Sequence, residues 1–329
     1  MQGRLIQFAG NRLPLIEEEL LRRMPLSTLA GTEGLNSAVR YAVCSGGKRT
    51  RPMLTLIAGG LFLAPAEAVI RAACGVEFLH LSSVILDDLP PMDDATMRRH
   101  VPALHIAYGE GLALLAALAL YARAFELFAG VPGLAEEAAK AVGCEGMIGG
   151  QAADLQGVAG SRLEKTSALM RLALRAGAMA GHAEPEELAV LSEYGSLAGE
   201  AYQICDDLLD ALGNEALTGK TSGQDQRHGR PALTPDYSVE DAFERAKRLT
   251  ELAAGAVRGR MRSCEEADLL CEFAESIILR VADLVERNDS DRLDSRAPGP
   301  GGGQRGALAE GESRGRACGS ATIGSDTGA

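Results

Sequence analysis

Apolar side chains recur at spacings of three and four along most of the chain, and runs of alternating β-branched residues are absent. That periodicity is typical of amphipathic helices and predicts a protein that is almost entirely α-helical. Prolines set several of the expected breaks, since Pro52 suits a first helical position and Pro90 and Pro91 cannot continue a helix. The predicted helices span residues 12–24, 35–45, 52–63, 66–89, 111–129, 134–157, 163–181, 185–213, 238–257 and 263–287.

The composition changes near the C-terminal end of the sequence. From Ser290 to Ala329 the chain consists mainly of Gly, Ser, Arg and Ala and has almost no large apolar side chains. Such a segment cannot bury enough apolar surface to offset the entropy lost on ordering. We therefore expect one folded domain over residues 1–289, followed by a disordered Gly/Ser/Arg-rich tail over residues 290–329.

Charge and cysteine content narrow the range of functions. The 329 residues carry a formal charge of −12, with no Trp and only 4% aromatic residues, which disfavours nucleic acid as a partner. The seven cysteines form no CxxC pair, so neither a disulfide framework nor a zinc site is indicated, and a cytoplasmic location is expected. The longest apolar runs, residues 53–66 and 111–122, are shorter than the ~18 residues that a membrane span needs.

One predicted helix has a polar stripe where most of its surface is apolar. Gln203, Asp206, Asp207 and Asp210 share one face, and apolar residues cover most of the remainder. A helix of this kind must be largely buried, and an unpaired buried carboxylate is costly. Because Mg²⁺ prefers carboxylate oxygens, the stripe indicates a magnesium site.

A second helix repeats the pattern with Glu77, His80, Ser83 and Asp87 on one face. Asp87 and its neighbour Asp88 fall in the last turn before Pro90, where the helix dipole disfavours negative charge. A cation is therefore expected there, and Asp93 can share it only if the chain folds back after the two prolines. The alternative is that these acids are solvated helix ends or partners of nearby arginines, and that His80 is a core histidine.

Several basic segments could hold phosphate. Residues 46–52 combine two glycines, three cations and a helix-initiating proline, which suits an anion site. Further candidates are the pairs at 98–99, 165–166 and 220–221. A Walker A loop is excluded because Asn214 stands where that motif needs glycine and no strand precedes it. Acids for a divalent cation, cations for phosphate and an apolar helical interior together indicate a magnesium-dependent reaction of a lipidic diphosphate.

The order and spacing of these motifs, from Leu35 to Asn288, closely resemble those of the trans-type polyprenyl diphosphate synthases, the family of farnesyl and geranylgeranyl diphosphate synthases. The motifs are GGKRTRP (46–52), DDLPPMD (87–93), RR (98–99), GMIGGQ (146–151), KT (165–166), QICDDLLD (203–210) and GKTSGQD (219–225). The resemblance implies an all-α fold, a single large helical bundle around a central cavity (the isoprenoid synthase fold), usually in a homodimer. The Pro-Pro insertion and Met92 are most similar to the bacterial and plastid geranylgeranyl branch.

The resemblance also implies a reaction. Mg²⁺ ions, expected to number about three per active site, would bridge the diphosphate of an allylic substrate to carboxylates and make pyrophosphate a better leaving group. The double bond of isopentenyl diphosphate would attack the allylic carbocation, and a proton would then be lost. The matching metal ligands are Asp87, Asp88, Asp93, Asp206, Asp207 and Asp210.

Substrate roles follow by the same matching. Lys48, Arg51, His80 and Arg99 would bind isopentenyl diphosphate. Arg98, Lys165, Thr166, Gln203 and Lys220 would bind the allylic diphosphate. Of these residues and the aspartates, Asp87, Asp88, Lys165 and Lys220 are the expected catalytic residues.

Product length in this family depends on bulky residues just before the first aspartate motif. Here the corresponding residues are Ser82 and Ser83, so geranylgeranyl diphosphate is the predicted product. The chain departs from the family pattern at Leu86, where His is frequent, and at His100, where Gly is usual. Ala117 and Leu118 stand where the family usually has Gly-Asp.

Two other functions fit the same scaffold. A non-catalytic or weakly active regulatory subunit of a heteromeric prenyl synthase would typically lack an aspartate motif, whereas both are present. A terpene cyclase would have no isopentenyl diphosphate site, against which Lys48, Arg51 and Arg99 argue. A di-metal oxygenase would need two Glu-x-x-His pairs, and the acidic helices contain only Glu77–His80.

Overall fold

The computed structural model describes residues 3–158, 161–212 and 238–285. Its helices and strands are α1 (Gly3–Arg23), α2 (Glu33–Cys44), α3 (Thr50–Leu61), α4 (Ala66–Asp87), β1 (Met97–Arg98), β2 (Val101–Pro102), α5 (Leu104–Tyr108), α6 (Glu110–Phe128), α7 (Leu134–Val142), α8 (Met147–Leu155), α9 (Ser161–Ala180), α10 (Pro185–Leu212), α11 (Val239–Arg260) and α12 (Glu265–Leu279). The predicted all-α class is confirmed. Lys220 and the predicted tail lie outside the described residues.

Helix α4 lies in the core of the bundle. It starts after Pro65 and ends before Pro90, and most of its side chains are buried. It packs against α3, α6 and α9, while α10 packs between α9 and α11. Because the first aspartate motif follows the end of α4 and the second lies near the end of α10, this packing brings both motifs to one side of the bundle.

The structure differs from the predicted elements at the N-terminal helix. Helix α1 begins at Gly3 rather than at residue 12, and it continues through Pro14. Its first turn is held against α12, since Arg4 forms ion pairs with Asp268 and Glu272 at 2.7 and 2.8 Å. These tertiary contacts outweigh the weak helical signal of the first residues.

The prediction of one continuous helix over residues 134–157 was wrong, because the structure has two helices there. The chain breaks between Gly143 and Gly146, and a Cβ at Gly146 would lie 2.1 Å from the Ala141 carbonyl oxygen. Only glycine allows this close approach.

The short hairpin β1–β2, with Met97 opposite Pro102, was also not predicted, because two-residue strands leave no periodic signal.

Helices α4 and α6 are long and apolar enough to cross a membrane by length and composition. Core helices of soluble proteins share these properties, and 78% of the most apolar window of α4 is buried in the protein. For α6 the buried share is 39%. The two helices are therefore weak evidence for a membrane span, and the exposed apolar face of α6 needs another explanation.

Candidate active site

A cavity of about 590 Å³ opens where the end of α4, the loop before α3, the β1–β2 hairpin and the second half of α10 meet. Nine of the residues predicted from the sequence line this cavity. They are Lys48, Arg51, His80, Arg98, Arg99, Thr166, Gln203, Asp206 and Asp210. The structure thus brings together residues that are up to 162 positions apart in the sequence, counted from Lys48 to Asp210.

Glycines in the loop before α3 allow it to run beside an arginine. Gly46 and Gly47 have φ of +78° and +133°, which side chains rarely adopt. A Cβ at Gly47 would lie 2.7 Å from the Arg99 guanidinium carbon, and Arg99 donates to the Gly46 carbonyl. The Arg99 side chain therefore packs against the backbone of the loop, and Lys48 and Arg99 lie at the same cavity.

Arg49 fixes the geometry of this loop from behind. It caps α3 with a left-handed backbone at φ 46°, and its side chain is wholly buried. The guanidinium forms ion pairs with Glu17 and Glu77 at 2.8 Å each, and it donates to the Val43 carbonyl at 2.7 Å. Because three elements hold Arg49, its neighbours Lys48 and Arg51 are directed to the cavity.

The hairpin presents adjacent arginines to different partners. Its two central residues, Arg99 and His100, have φ of 53° and 66°, as the tight turn between twisted strands requires. Arg98 donates from Nε to both oxygens of Asp88 at 3.0 and 3.1 Å, while Arg99 contacts the loop before α3. The hairpin therefore links the first aspartate motif to the loop before α3.

His80 contacts Arg51 inside the cavity wall. Arg51 Nη1 lies 3.4 Å from His80 Nε2. Burial, reinforced by the charges of Arg51, Arg99, Arg98 and Arg49, lowers the pKa of His80 well below its usual value. The ring is thus neutral and can accept a hydrogen bond from Arg51, so the core-histidine alternative is disfavoured by its position at the cavity.

The first aspartate motif is held by cations. Asp87 Oδ2 lies 2.8 Å from Lys165 Nζ, and Asp88 is buried against Arg98. Burial raises the pKa of Asp87, and the Lys165 charge opposes this shift. The backbone N–H of Asp93 donates to the Asp87 carbonyl at 2.8 Å. The chain therefore folds back after the two prolines, the condition under which Asp93 could share a cation with Asp87.

Neighbouring residues on α9 join the two aspartate motifs. Thr166 donates to Gln203 Oε1 at 2.7 Å, and Gln203 Nε2 donates to Asp207 Oδ1 at 3.0 Å. Since Lys165 pairs with Asp87, α9 bridges the first motif to the second. Asp207 is buried and Asp210 is exposed beside the cavity.

The fit of these carboxylates to a divalent cation follows from their donor chemistry. Among the described residues, no three His, Cys, Asp or Glu side chains converge into a complete metal site. Instead, Asp87, Asp88 and Asp206 each face a basic side chain. Mg²⁺ prefers hard oxygen ligands, and these carboxylates supply them. The arginines and the lysine of the cavity would bind a diphosphate, whose oxygens would complete the coordination of the ion.

Sequence reasoning missed the contact of Arg280 and Tyr202 at the cavity. Arg280, which directly follows α12, pairs with Asp206 at 2.5 Å, and its guanidinium lies 4.2 Å from the Tyr202 ring centre. Burial, with the charge of Arg280, lowers the pKa of Lys48, and Asp206 opposes that shift. Tyr202 adjoins the predicted polar stripe, but Arg280 belongs to no motif and only the fold places it here.

The predicted chain-length residues lie in the core of α4. Ser82 and Ser83 are both buried, and the Ser83 hydroxyl donates to the His80 carbonyl at 2.8 Å. The departures at 117 and 118 lie away from the cavity, with Ala117 buried against the core and Leu118 59% exposed.

Comparison with known proteins identifies the family of this chain. The model of the family described as polyprenyl synthetase matches residues 32–266. A probable farnesyl diphosphate synthase of Sinorhizobium fredii is 35% identical over 79% of this chain and 78% of its own length. The chloroplastic geranylgeranyl pyrophosphate synthase 11 of Arabidopsis thaliana is 38% identical, over 68% of this chain and 69% of its own.

A solved structure shares the fold. The geranyltransferase from Helicobacter pylori, complexed with magnesium and isoprenyl diphosphate, superposes with a TM-score of 0.70 at 27% identity and covers 85% of this chain and 98% of its own. The all-α bundle is thus the isoprenoid synthase fold, which defines a class of enzymes. Within this class the chain belongs to the polyprenyl synthetase family, whose members are prenyltransferases of isoprenoid biosynthesis.

Proposed function

We propose that this protein condenses isopentenyl diphosphate with an allylic diphosphate to give linear, all-trans geranylgeranyl diphosphate. The observation that carries the proposal is one cavity in which Asp206 and Asp210 of α10 meet a set of arginines and a lysine, and one of these arginines, Arg98, pairs with Asp88 of the first aspartate motif. Two diphosphates would bring several negative charges into a small volume, and these cations can neutralise them. A cyclase would need only one diphosphate site.

The cationic wall formed by Lys48, Arg51 and Arg99 suits isopentenyl diphosphate. Arg51 and Arg99 are largely buried, and burial lowers the pKa of both. Cations desolvated in this way interact strongly with an incoming anion. Neutral His80 contacts Arg51 rather than adding charge, so Lys48, Arg51 and Arg99 are the three cations that would hold the substrate.

The allylic diphosphate would bind beside the first aspartate motif. Arg98 and Lys165 lie there beside Asp88 and Asp87, and Thr166 and Gln203 connect them to Asp207. Lys220 is proposed to complete this set from outside the described residues. These side chains would hold the leaving diphosphate in line with the attacking double bond, and positioning of this kind supplies much of the catalysis.

Magnesium is the proposed cofactor, about three ions per site. Asp87, Asp88 and Asp93 would hold it on one side, and Asp206, Asp207 and Asp210 on the other. When bound, it neutralises the leaving pyrophosphate. The magnesium in the Helicobacter pylori relative supports this assignment, and ion pairs with Lys165 and Arg280 hold the Asp87 and Asp206 carboxylates in place.

Product length is proposed from the small residues at 82 and 83. Relatives named for farnesyl and for geranylgeranyl products match this chain about equally well. Ser82 and Ser83 place no aromatic ring in the turn before Asp87, which favours the longer product. Ser82→Tyr should shorten the product, measured by mass spectrometry after incubation with each primer, whereas Ser37→Tyr on exposed α2 should leave it unchanged. An unaltered product in Ser82→Tyr would contradict this assignment.

Purified chain with isopentenyl diphosphate, a dimethylallyl, geranyl or farnesyl primer and Mg²⁺ tests the function directly. Elongation that disappears with EDTA supports it. Absence of elongation alone, with altered product when a second synthase is added, would support a regulatory subunit. Release of a hydrocarbon or alcohol without isopentenyl diphosphate would support a cyclase.

We further propose that the enzyme is a cytoplasmic homodimer. Leu114, Leu115 and Leu118 are 42%, 52% and 59% exposed and share one side of α6. Contiguous apolar surface on one helix is typical of a protein interface. A second copy of the same chain would cover this face by a two-fold contact of α6 with α6.

A further inference from the structure

Helices α9 and α10 approach each other closely at Gly199. A Cβ at Gly199 would lie 2.8 Å from Ser167 Oγ and 2.9 Å from Ser167 Cα. The hydroxyl could rotate away, but the Cα belongs to the backbone of α9 and can move only with the helix. Both residues are buried. A side chain at position 199 would therefore push the two helices apart.

This close contact lies one turn from the hydrogen bonds that join α9 to the second aspartate motif. Gln203 follows Gly199 by four residues and so shares its face of α10, while Thr166 directly precedes Ser167 on α9. Thr166 donates to Gln203 Oε1 at 2.7 Å, and Gln203 Nε2 donates to Asp207 Oδ1 at 3.0 Å. Because a hydrogen bond is lost beyond about 3.5 Å, these bonds exist only at the present spacing of the two helices.

The C-terminal half of α9 is held against α3. A Cβ at Gly177 would lie 2.1 Å from the carbonyl oxygen of Thr55 in the backbone of α3. Gly177 follows Ser167 at a distance of about 15 Å along the helix axis. Pressure on Ser167 would therefore displace mainly the N-terminal half of α9, because the other half has no room to move towards α3.

We propose that Gly199 is a positioning residue for the allylic substrate: because it has no side chain, α9 lies close enough to α10 for Lys165 and Thr166 to reach both aspartate motifs. Lys165 pairs with Asp87 of the first motif at 2.8 Å, and Thr166 is joined through one amide to Asp207 of the second. A methyl group at position 199 would displace both side chains together. This inference rests on the proposed function and adds a residue that does not line the cavity.

The test compares Gly199→Ala with Gly255→Ala in the full-length protein. In Gly199→Ala the KM for the allylic primer should rise about threefold to tenfold, the factor expected for one lost hydrogen bond. The KM for isopentenyl diphosphate should stay the same, because Lys48, Arg51 and Arg99 lie outside α9. Gly255 is the matched control, since it lies inside α11 and a Cβ there would meet no atom within 4 Å. Its alanine variant should react as the wild type does.

A double variant shows whether Gly199 acts through Thr166. Thr166→Val removes the hydroxyl that donates to Gln203 and should itself raise the KM for the allylic primer. The effect of Gly199→Ala on this KM should be smaller in the Thr166→Val background than in the wild type, because residues that act through one contact are not additive. Two effects that multiply in full would show that Gly199 acts elsewhere and would overturn the inference.

The kinetics also separate positioning from a general loss of structure. A fall in kcat with both KM values unchanged would overturn the inference, because a smaller folded fraction lowers the rate without altering binding. If Gly199→Ala does not fold by circular dichroism, the selective rise must appear in Ser167→Gly/Gly199→Ala, where Oγ and Cβ of Ser167 are absent, and an unchanged KM there would overturn it as well. If the wild type makes no prenyl product, the proposed function fails. Titration with inorganic pyrophosphate and Mg²⁺ then tests Gly199 separately, and equal binding to the wild type and Gly199→Ala would contradict the positioning role.

Discussion

Arg49 Nη1 lies 2.8 Å from Glu77 Oε1, and both side chains are almost completely excluded from solvent. The pair joins the loop before α3 to the face of α4 that carries His80. A second bond from Arg49 Nε to Glu17 at 2.8 Å extends the contact to α1. The cavity's cationic wall is therefore held by an ion-pair network that lies behind it.

Arg49→Met should lower the free energy of unfolding by about 3 to 5 kcal/mol, because Glu77 would be left as a buried charge without its partner. The second oxygen of Glu77 already has no hydrogen-bond partner within the described residues. Equilibrium unfolding in urea measures the change.

The control for this prediction is a surface arginine. Arg22 pairs with Glu19 on exposed α1, and Arg22→Met should have little effect. The double variant Arg49→Met/Glu77→Met should recover part of the lost stability, since it leaves no unpaired charge. A double variant that is no more stable than Arg49→Met would show that the pair is not the cause.

The sequence was sufficient to predict the helical class and nine of the residues that line the cavity, because both depend on local patterns. Inverted polarity in α4 and α10 identified His80, Asp87 and Asp206, and all three lie at or beside the cavity. Apolar periodicity cannot show a break such as Gly143 to Gly146, where the spacing continues but a carbonyl blocks any side chain.

Long-range pairing was beyond sequence reasoning. The sequence places Glu77 in the polar stripe of α4 and Arg49 in the phosphate-binding segment 46–52. Nothing in either pattern predicts that the two side chains form an ion pair. Arg280 is 74 residues from Asp206 and carries no pattern. Such contacts are set by how helices pack, which no short window of sequence contains.

The neutral state of His80 predicts a pH dependence of stability. Its folded pKa lies below the ordinary value of about 6.5, so below that pH the unfolded chain takes up a proton that the folded chain does not. Stability should therefore fall as the pH drops from 6.5, by up to about 1.4 kcal/mol per pH unit from this group. Urea unfolding between pH 5 and 8, roughly, measures it.

Other groups titrate in the same range, so the comparison is with His80→Asn, which keeps a polar side chain but takes up no proton. As the pH falls, the free energy of unfolding of the wild type should decrease relative to that of His80→Asn. A difference that is constant over the range would mean that His80 is protonated equally in the folded and unfolded states.

The turn at His100 stores backbone strain. Its φ of 66° is unfavourable for a residue with a Cβ, and glycine adopts it without cost. His100→Gly should therefore be more stable than His100→Ala by about 1 kcal/mol, because the alanine variant removes the same imidazole but keeps the strain. Thermal unfolding of the two variants isolates the backbone effect. Equal melting temperatures would show that the turn relaxes in the alanine variant.

The exposed leucines of α6 predict how the protein assembles. Leu118→Glu places a charge at the centre of the apolar face formed with Leu114 and Leu115, so a homodimer that uses this face should dissociate into monomers. Light scattering coupled to size exclusion measures the mass, and Leu63→Glu, at another exposed leucine in the turn after α3, is the matched control that should remain dimeric. Because Leu118 lies away from the cavity, the monomer should still bind inorganic pyrophosphate. A dimer that persists in Leu118→Glu would place the contact on another surface.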